Sequence, residues 1–364
     1  MEGFELYILG KQMQSLCLVD SFISMIWTDR YMVCGDFELV VPVTSNALVY
    51  ASHGNYVWAK GSDRMMIIEQ TEITTDVENG STLKITGRSL ESLLDRRIVW
   101  KQITLSGKIQ TVIKRLITDA FITPDLSARA VSNFIFVDSD DAYIDSCEME
   151  EAQYLGDSLY DVVCDICSVF NVGFKIIYDF DNGNFEFELY YGADRSYNQD
   201  TNPWVVFSPE FDNIISSDFV ENSAQYKNVN LVAGEDSDDH NKLFVYVNDG
   251  SDVTGLERRE MFTDGSSKQR SYDETTLTDE QYTEVLRSYG LEELYLPEHR
   301  LGQTFDGEMN TTRGFSYGVD FMIGDVVQME NEYGQGDAAR VTEFIMSQDS
   351  SGVKMYPSFD STVV

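Results

Sequence analysis

Few residues in this chain combine the type and the spacing that chemistry needs. Three histidines, His53, His240 and His299, stand far apart in 364 residues, a sparse supply for general acid and base work. Cys164 and Cys167 have the Cys-x-x-Cys spacing of a metal or redox pair. No second Cys or His pair accompanies them, and Cys167 falls on the apolar stripe of a predicted helix, so both are expected in the core. Asp236-Ser237-Asp238-Asp239-His240 offers oxygen ligands to a divalent cation but lacks the glycine and terminal glutamate of a calcium loop, which favours a solvated turn. Gly334-Gln335-Gly336-Asp337-Ala338-Ala339 matches Gly-x-Gly-x-x-Ala, yet it lies between two strand-like runs with no helix after it and reads as a hairpin loop. No Gly-x-Ser-x-Gly elbow, Walker loop, His-Glu-x-x-His or kinase set occurs. With 62 Asp and Glu, carboxylate pairs at the roughly 5 to 9 Å of a glycoside hydrolase are expected by chance alone. Tyr190, Tyr191 and Trp204 are candidate sugar platforms, although strand alternation assigns most aromatic residues to core or subunit contacts. No catalytic, cofactor-binding or metal-ligating residue is assigned.

The elements that would position such residues are mostly strands. Phe37, Leu39, Val41 and Val43 alternate with Glu38, Val40 and Pro42, and Leu83 and Ile85 alternate with Thr82, Lys84 and Thr86, the period of half-buried strands. Pro42 suits an edge or a strand end. Short runs at Phe4 to Leu9, Leu18 to Trp27, Tyr56 to Ala59 and Met65 to Glu69 favour a small barrel or sandwich. Gly87-Arg88-Ser89-Leu90-Glu91 then turns from strand to short helix. Ile109, Val112, Ile113, Leu116, Ile117 and Ala120 make one helical stripe, and a second helix runs through Leu155, Leu159, Val162, Val163, Ile166, Cys167 and Phe170. Asp181-Asn182-Gly183 reads as a hairpin turn between Phe174 to Tyr178 and Phe185 to Tyr191. From Trp204 the pattern is β again, with Tyr226 to Ala233 and Leu243 to Val247. One helix interrupts it, opened by the capping box Thr278-Asp279-Glu280-Gln281 with Leu277 and Tyr282 as staple and Gly290 as the expected stop. The expected fold class is therefore α+β, mostly β.

Charge narrows the function classes. The formal net charge is −36, yet residues 1 to 134 carry 13 Lys and Arg against 15 Asp and Glu, which leaves −34 on the other 230 residues. From Asp138 to Asp165 there are ten carboxylates and no Lys or Arg, alongside too many apolar residues for a self-repelling coil. Acid on a folded scaffold repels DNA and anionic lipid, so neither specific nucleic-acid binding nor membrane insertion of this chain is expected. No basic n-region precedes an apolar run at Met1-Glu2-Gly3-Phe4-Glu5, and five scattered cysteines fit synthesis in a reducing cytoplasm, so a soluble chain without a secretion signal is expected.

Several segments together resemble the siphophage gene-product-37-like family of tail-hub, or baseplate-hub, proteins. They are Trp27-Thr28-Asp29-Arg30, Gly35-Asp36-Phe37-Glu38-Leu39 with Pro42, Ile67-Ile68-Glu69, and Gly87-Arg88-Ser89-Leu90-Glu91 with Leu94 and Arg96-Arg97-Ile98. Gly192-Ala193-Asp194-Arg195-Ser196, Val206-Phe207-Ser208, Tyr226-Lys227-Asn228 and Arg258-Arg259-Glu260 follow, then Tyr317-Gly318-Val319-Asp320-Phe321-Met322-Ile323-Gly324-Asp325-Val326-Val327. None is specific alone; their order covers nearly the whole chain. The resemblance implies a homotrimeric ring at the tail tip, each subunit giving two small tube-type β-barrels. These would be residues 1–103 and residues 201–235 with 301–364, with an α/β module at 104–200 and a helix-containing decoration at 236–300. It also implies partners: the chain itself, a distal tail or tail tube protein, a tape measure protein, and a tail fibre or receptor-binding protein. The chain ends at Val364 without the lysin or fibre extension of related hubs, so a non-enzymatic role in the virion tail is expected, made in the host cytoplasm. The alternatives are a cell-wall glycan hydrolase or a glycan-binding tail adhesin.

Overall fold

A computed structural model of the chain describes residues 4–19, 21–76, 80–236, 242–251, 253–272, 275–300, 302–310 and 313–361. Its main element is one 13-stranded sheet built from both ends of the chain. The pairing runs as an open path: Ile214–Asn222, Gly302–Met309, Gly352–Asp360, Ala338–Asp349, Ser24–Arg30, Asp36–Pro42, Gly80–Ser89, Met65–Asp76, Tyr56–Ala59, Leu6–Leu9, Ser15–Val19. The Ala338–Asp349 strand makes the join by changing partners along its length. Residues 338–340 pair with Val326–Met329, and residues 343–348 pair antiparallel with Ser24–Arg30. The two β regions are thus fused edge to edge, which hides an edge that would otherwise be open to misassociation.

Each half keeps its own core. Leu6, Trp27, Phe37, Leu39, Val57, Met66, Leu83 and Ile85 fill the first, as the alternation of Phe37/Leu39/Val41 and Leu83/Ile85 requires. Phe207, Phe305, Phe321, Val327, Val341, Phe344 and Phe359 fill the second. Pro42 sits at the last position of its strand. At Gly87 a Cβ would collide with the carbonyl of Ile67, so only glycine lets the Gly80–Ser89 strand close on the bulge at Ile68 and Gln70 before the chain enters the 3-10 turn Leu90–Arg96.

Between the halves, helices Ile109–Ile117 and Leu159–Val169 cover a three-stranded sheet of Phe134–Val137, Asn184–Tyr190 and Gly173–Asp179, beside a ribbon of Ile103–Lys108 and Glu148–Tyr154. The predicted helical stripes are buried, except that Leu155 and Phe170 lie outside their helix, Leu155 exposed and Phe170 half-buried. This module shares one hydrophobic cluster with Leu9, Met65, Ile67, Leu90 and Leu94 of the first half. Phe180 to Gly183 make the predicted turn, Gly183 at φ 72°.

A small unit follows the sequence reading less closely. Val229–Asp236, placed on sequence with the C-terminal strands, pairs instead with Lys242–Asn248 and Glu260–Asp264. The helix Asp279–Leu294 covers that sheet, opened by the predicted capping box and with Leu277 and Tyr282 buried. Gly290 does not end this helix. A Cβ there would run into Val232, so the glycine serves close helix-on-sheet packing while Leu291 and Leu294 continue the apolar face. Among the described residues no helix is long and apolar enough to cross a membrane.

Candidate functional site

Several of the residues quoted for the resemblance, Asp29, Arg30, Asp36, Glu91, Arg195, Tyr317 and Asp325 among them, lie where the two sheet halves and the inserted module meet. Asp29, at the end of its strand, accepts from Trp27 Nε1 at 3.0 Å and from Tyr317 Oη at 3.1 Å, so it ties the first half to the second. Burial pushes its carboxyl up, while the Arg64 guanidinium opposes that shift. Arg30 crosses the sheet join, its Nε on Glu343 and its other arm on Asp36, both at 2.5 Å. Arg64 and Glu91 form an ion pair with side chains 4% and 0% exposed. Arg64 also donates to Tyr190 Oη at 3.0 Å, and Glu91 accepts from the Ile176 amide at 3.1 Å, which brings the inserted module into the network.

The second-half motifs lock onto one another beside it. Asp325 accepts from the Ala193 amide and Arg195 Nε, each at 2.8 Å, and from the Met322 amide at 3.0 Å. Gly192 is required there, since a Cβ would overlap the carbonyl of Gly324. Arg340, 0% exposed, donates to that same carbonyl and lies between the rings of Tyr31 and Tyr191 at 5.1 and 4.4 Å. Tyr31 Oη in turn donates to the carbonyl of Asn171 at 2.9 Å.

These carboxylates are committed to cations and donors, and the arrangement ties the two sheet halves and the module to one another. Sequence reasoning found Asp29, Arg30, Glu91, Arg195, Tyr317 and Asp325 through their motifs but passed over Arg64 and Arg340. Both carry a readable signal, a cation abutting a buried run: Arg64 before Met65-Met66-Ile67-Ile68, and Arg340 between Ala338-Ala339 and Val341. Tyr226-Lys227-Asn228 and Arg258-Arg259-Glu260 do not join this junction. They meet each other in the small unit, where Asn228 Oδ1 accepts from the Arg259 amide at 2.8 Å.

The other candidates are dispersed. Cys164 and Cys167 are buried free thiols, both pushed up by burial. Among the described residues no group of His, Cys, Asp and Glu could hold a metal ion. Of the turn Asp236 to His240, read as solvated, Ser237 to His240 lie outside the described residues. Tyr190 is enclosed by Tyr31 and Arg64, Tyr191 stacks on Tyr143 at 4.0 Å, and Trp204 meets Tyr197 edge-on, so the three do not share one platform. The Gly334 loop joins two antiparallel strands, as its reading as a hairpin requires.

One carboxylate cluster stands out electrostatically. Where the helix Asp279–Leu294 packs on the module, Glu292 is pushed up to about 7 and Asp165 to about 6, in both cases chiefly by burial. Lys268 opposes both shifts, Asp165 and Glu293 reinforce that of Glu292, and Glu293, Asp161 and Glu298 reinforce that of Asp165. A raised carboxyl favours the fold while protonated and loses that contribution as pH rises from the unfolded value toward the folded one. Glu292→Gln should therefore match the wild type near pH 4.5 and exceed it by about 2 to 3 kcal/mol at pH 8. Urea denaturation of both proteins across that range checks it; a constant difference between them would refute the assignment.

This fold, one sheet shared by two halves with a module lodged between them, is that of phage tail proteins. The tail protein from Neisseria meningitidis MC58 matches with TM-score 0.59 at 13% identity, covering 99% of this chain and 97% of that one. The 43 kDa tail protein of prophage MuSo2 from Shewanella oneidensis matches with TM-score 0.55 at 11% identity over 98% of each. Prophage tail protein gp18 from Listeria monocytogenes EGD-e matches with TM-score 0.53 at 13% identity, over 97% and 94%. No curated protein matches the chain. The chain belongs to the Siphovirus ReqiPepy6 Gp37-like protein family, whose model matches residues 5–359.

Proposed function

We propose that this chain is the subunit of a homotrimeric tail hub that closes the tail tube, adapts a six-fold tube or distal-tail ring to a three-fold tip, and encloses the channel for DNA. The reading rests above all on the edge-to-edge join between the two sheet halves, held by Arg30, Glu343 and the Arg64–Glu91 pair. Two rigidly linked halves per subunit give six in a trimer, the number a six-fold neighbour requires. Residues 1–103 would supply one half of each pair and the C-terminal strands the other, with the small unit and the outer part of the module outside the ring. Closed rings need a heterologous contact that returns on itself, and a fixed angle within the subunit is what lets it return after three copies. The distal tail or tube protein and the tape measure protein would meet the two faces of this ring, and a fibre or receptor-binding protein its tip. The role is non-enzymatic, in the virion tail. Light scattering on a sizing column across micromolar concentrations should give about three times 41.4 kDa, either for the chain alone or once the distal tail ring is added. A monomer under both conditions would overturn the hub reading.

A further inference from the structure

Three cations, Lys101, Arg115 and Arg129, and two acids, Asp119 and Asp125, line an open cleft at the base of the inserted module. Between Lys84 and Arg129 the sequence carries nine Lys and Arg against four Asp and Glu, of which Lys84, Arg88, Lys108 and Lys114 pair away from the cleft with Glu38, Glu69, Asp145 and Asp138. The cleft, about 280 Å³, is lined among others by Ile98, Trp100, Lys101, Gln102, Arg115 and Arg129. Its two acids are already taken: Asp125 by Lys101 at 2.6 Å and Asp119 by Arg115 at 2.7 Å. Among the described residues Arg129 has no such carboxylate. It lies over the Trp100 ring at 5.1 Å and donates to the carbonyl of Ile98 at 3.1 Å. Arg97, stacked on Phe121 at 4.9 Å, donates to the carbonyl of Arg129 at 3.3 Å, so two guanidiniums crowd one edge. Burial, and after it the neighbouring Arg129 and Arg96, hold the Arg97 guanidinium below its ordinary range. Among the described residues the buried donors Arg97 Nε and Gln102 Nε2 have no hydrogen-bond partner. The surface is also apolar, with Trp100 55% exposed and Ile98 and Leu126 exposed beside it.

Resting on the hub reading above, we propose that this cleft is the socket of the ring contact, and that its occupant is an acidic surface of a second copy of this chain. Like-charged subunits repel at a distance, but at about 8 Å of screening the contact is decided by the charges that meet locally. This chain is polarised for such a meeting: residues 1 to 134 are nearly neutral and hold the socket, whereas the rest carries −34. A head-to-tail contact joins unlike surfaces, so it can pair the cationic cleft of one copy with the acid of the next. The exposed Trp and Arg pair is the residue combination that dominates interface energies, and its apolar surroundings suit a protein surface better than a bare phosphate chain.

The test compares molar masses of the wild type, Trp100→Ala, Arg129→Glu and the milder Lys101→Glu, whose side chain is 69% exposed. Each is measured alone and on the distal tail ring, with urea midpoints as a folding check. Trp100→Ala and Arg129→Glu should weaken trimer formation about 30-fold or more at unchanged midpoint, and Lys101→Glu less. Trimers formed equally by all three variants would overturn the socket and leave the hub reading intact. Binding of a short DNA duplex that Arg129→Glu abolishes, with trimer formation unaffected, would assign the cleft to phosphates and overturn the proposal. A wild type that stays monomeric on the tail ring would remove the hub reading and the socket with it.

Discussion

Arg64→Met is expected to cost the fold about 3–5 kcal/mol, the loss found when one partner of a fully buried ion pair is removed. The cause is what the substitution leaves behind. Glu91 would remain 0% exposed with the Ile176 amide as its remaining named donor, Tyr190 Oη would lose its contact, and Asp29 would lose the cation that opposes its burial. Removing both charges, as Arg64→Met with Glu91→Leu, should recover most of that loss, because the desolvation of two ions disappears together with their attraction. Urea denaturation of the three proteins checks this. A single variant as stable as the wild type would show that the pair is solvated in solution and does not lock the junction. The same double variant tests why a costly pair sits there at all. Apolar side chains can fill the volume, but they do not dictate one angle between the sheet halves, so the double variant should fold well and assemble rings poorly.

The sequence carried the fold class and much of the element order because periodicity is a local signal. Phe37/Leu39/Val41 and the stripe Ile109 to Ala120 are each read within a dozen residues, and their burial follows from where one face must point. Pairing partners are not local. Nothing within Val229–Asp236 distinguishes a strand of the large sheet from one of the small unit, since either place could bury Val229, Val232 and Ala233; the choice depends on Lys242–Asn248, Glu260–Asp264 and the helix that covers them. Gly290 misled for a related reason. A glycine late in a helix is a stop signal by propensity, and here tertiary packing against Val232 overrides it. The junction lay between these extremes. Its carboxylates were visible through motif resemblance, whereas the partners of the two arginines are distant in sequence: Glu91 and Tyr190, 27 and 126 residues away, meet at Arg64, and Tyr31 and Tyr191 close on Arg340.

Asp306→Lys is expected to make the subunit slightly more stable and the tail worse. On the second half of the sheet, Asp306 stands directly opposite Asp218 on the neighbouring strand, and both are exposed. They line an open groove of about 460 Å³ with Glu308 and Glu343. Like charges directly opposite across a ladder are destabilising, so a lysine at 306 should turn repulsion into an ion pair and gain about 0.5 kcal/mol. A sheet that carries this avoidable cost has a reason for it if the groove faces passing DNA: carboxylates there keep phosphates from adhering, because a protein sticks to DNA through the counterions its cations release. In a trimeric ring the substitution places three lysines around the channel. If each contacts one phosphate of duplex DNA, retention should fall with salt at a log–log slope of about −2.7. Virions assembled with Asp306→Lys should then hold part of their genome after triggering at low ionic strength and release it at high salt, while the isolated subunit shows an unchanged or higher urea midpoint. Complete release at low salt, with the stability gain present, would place these acids on the solvated outside of the ring, where their work is solubility alone.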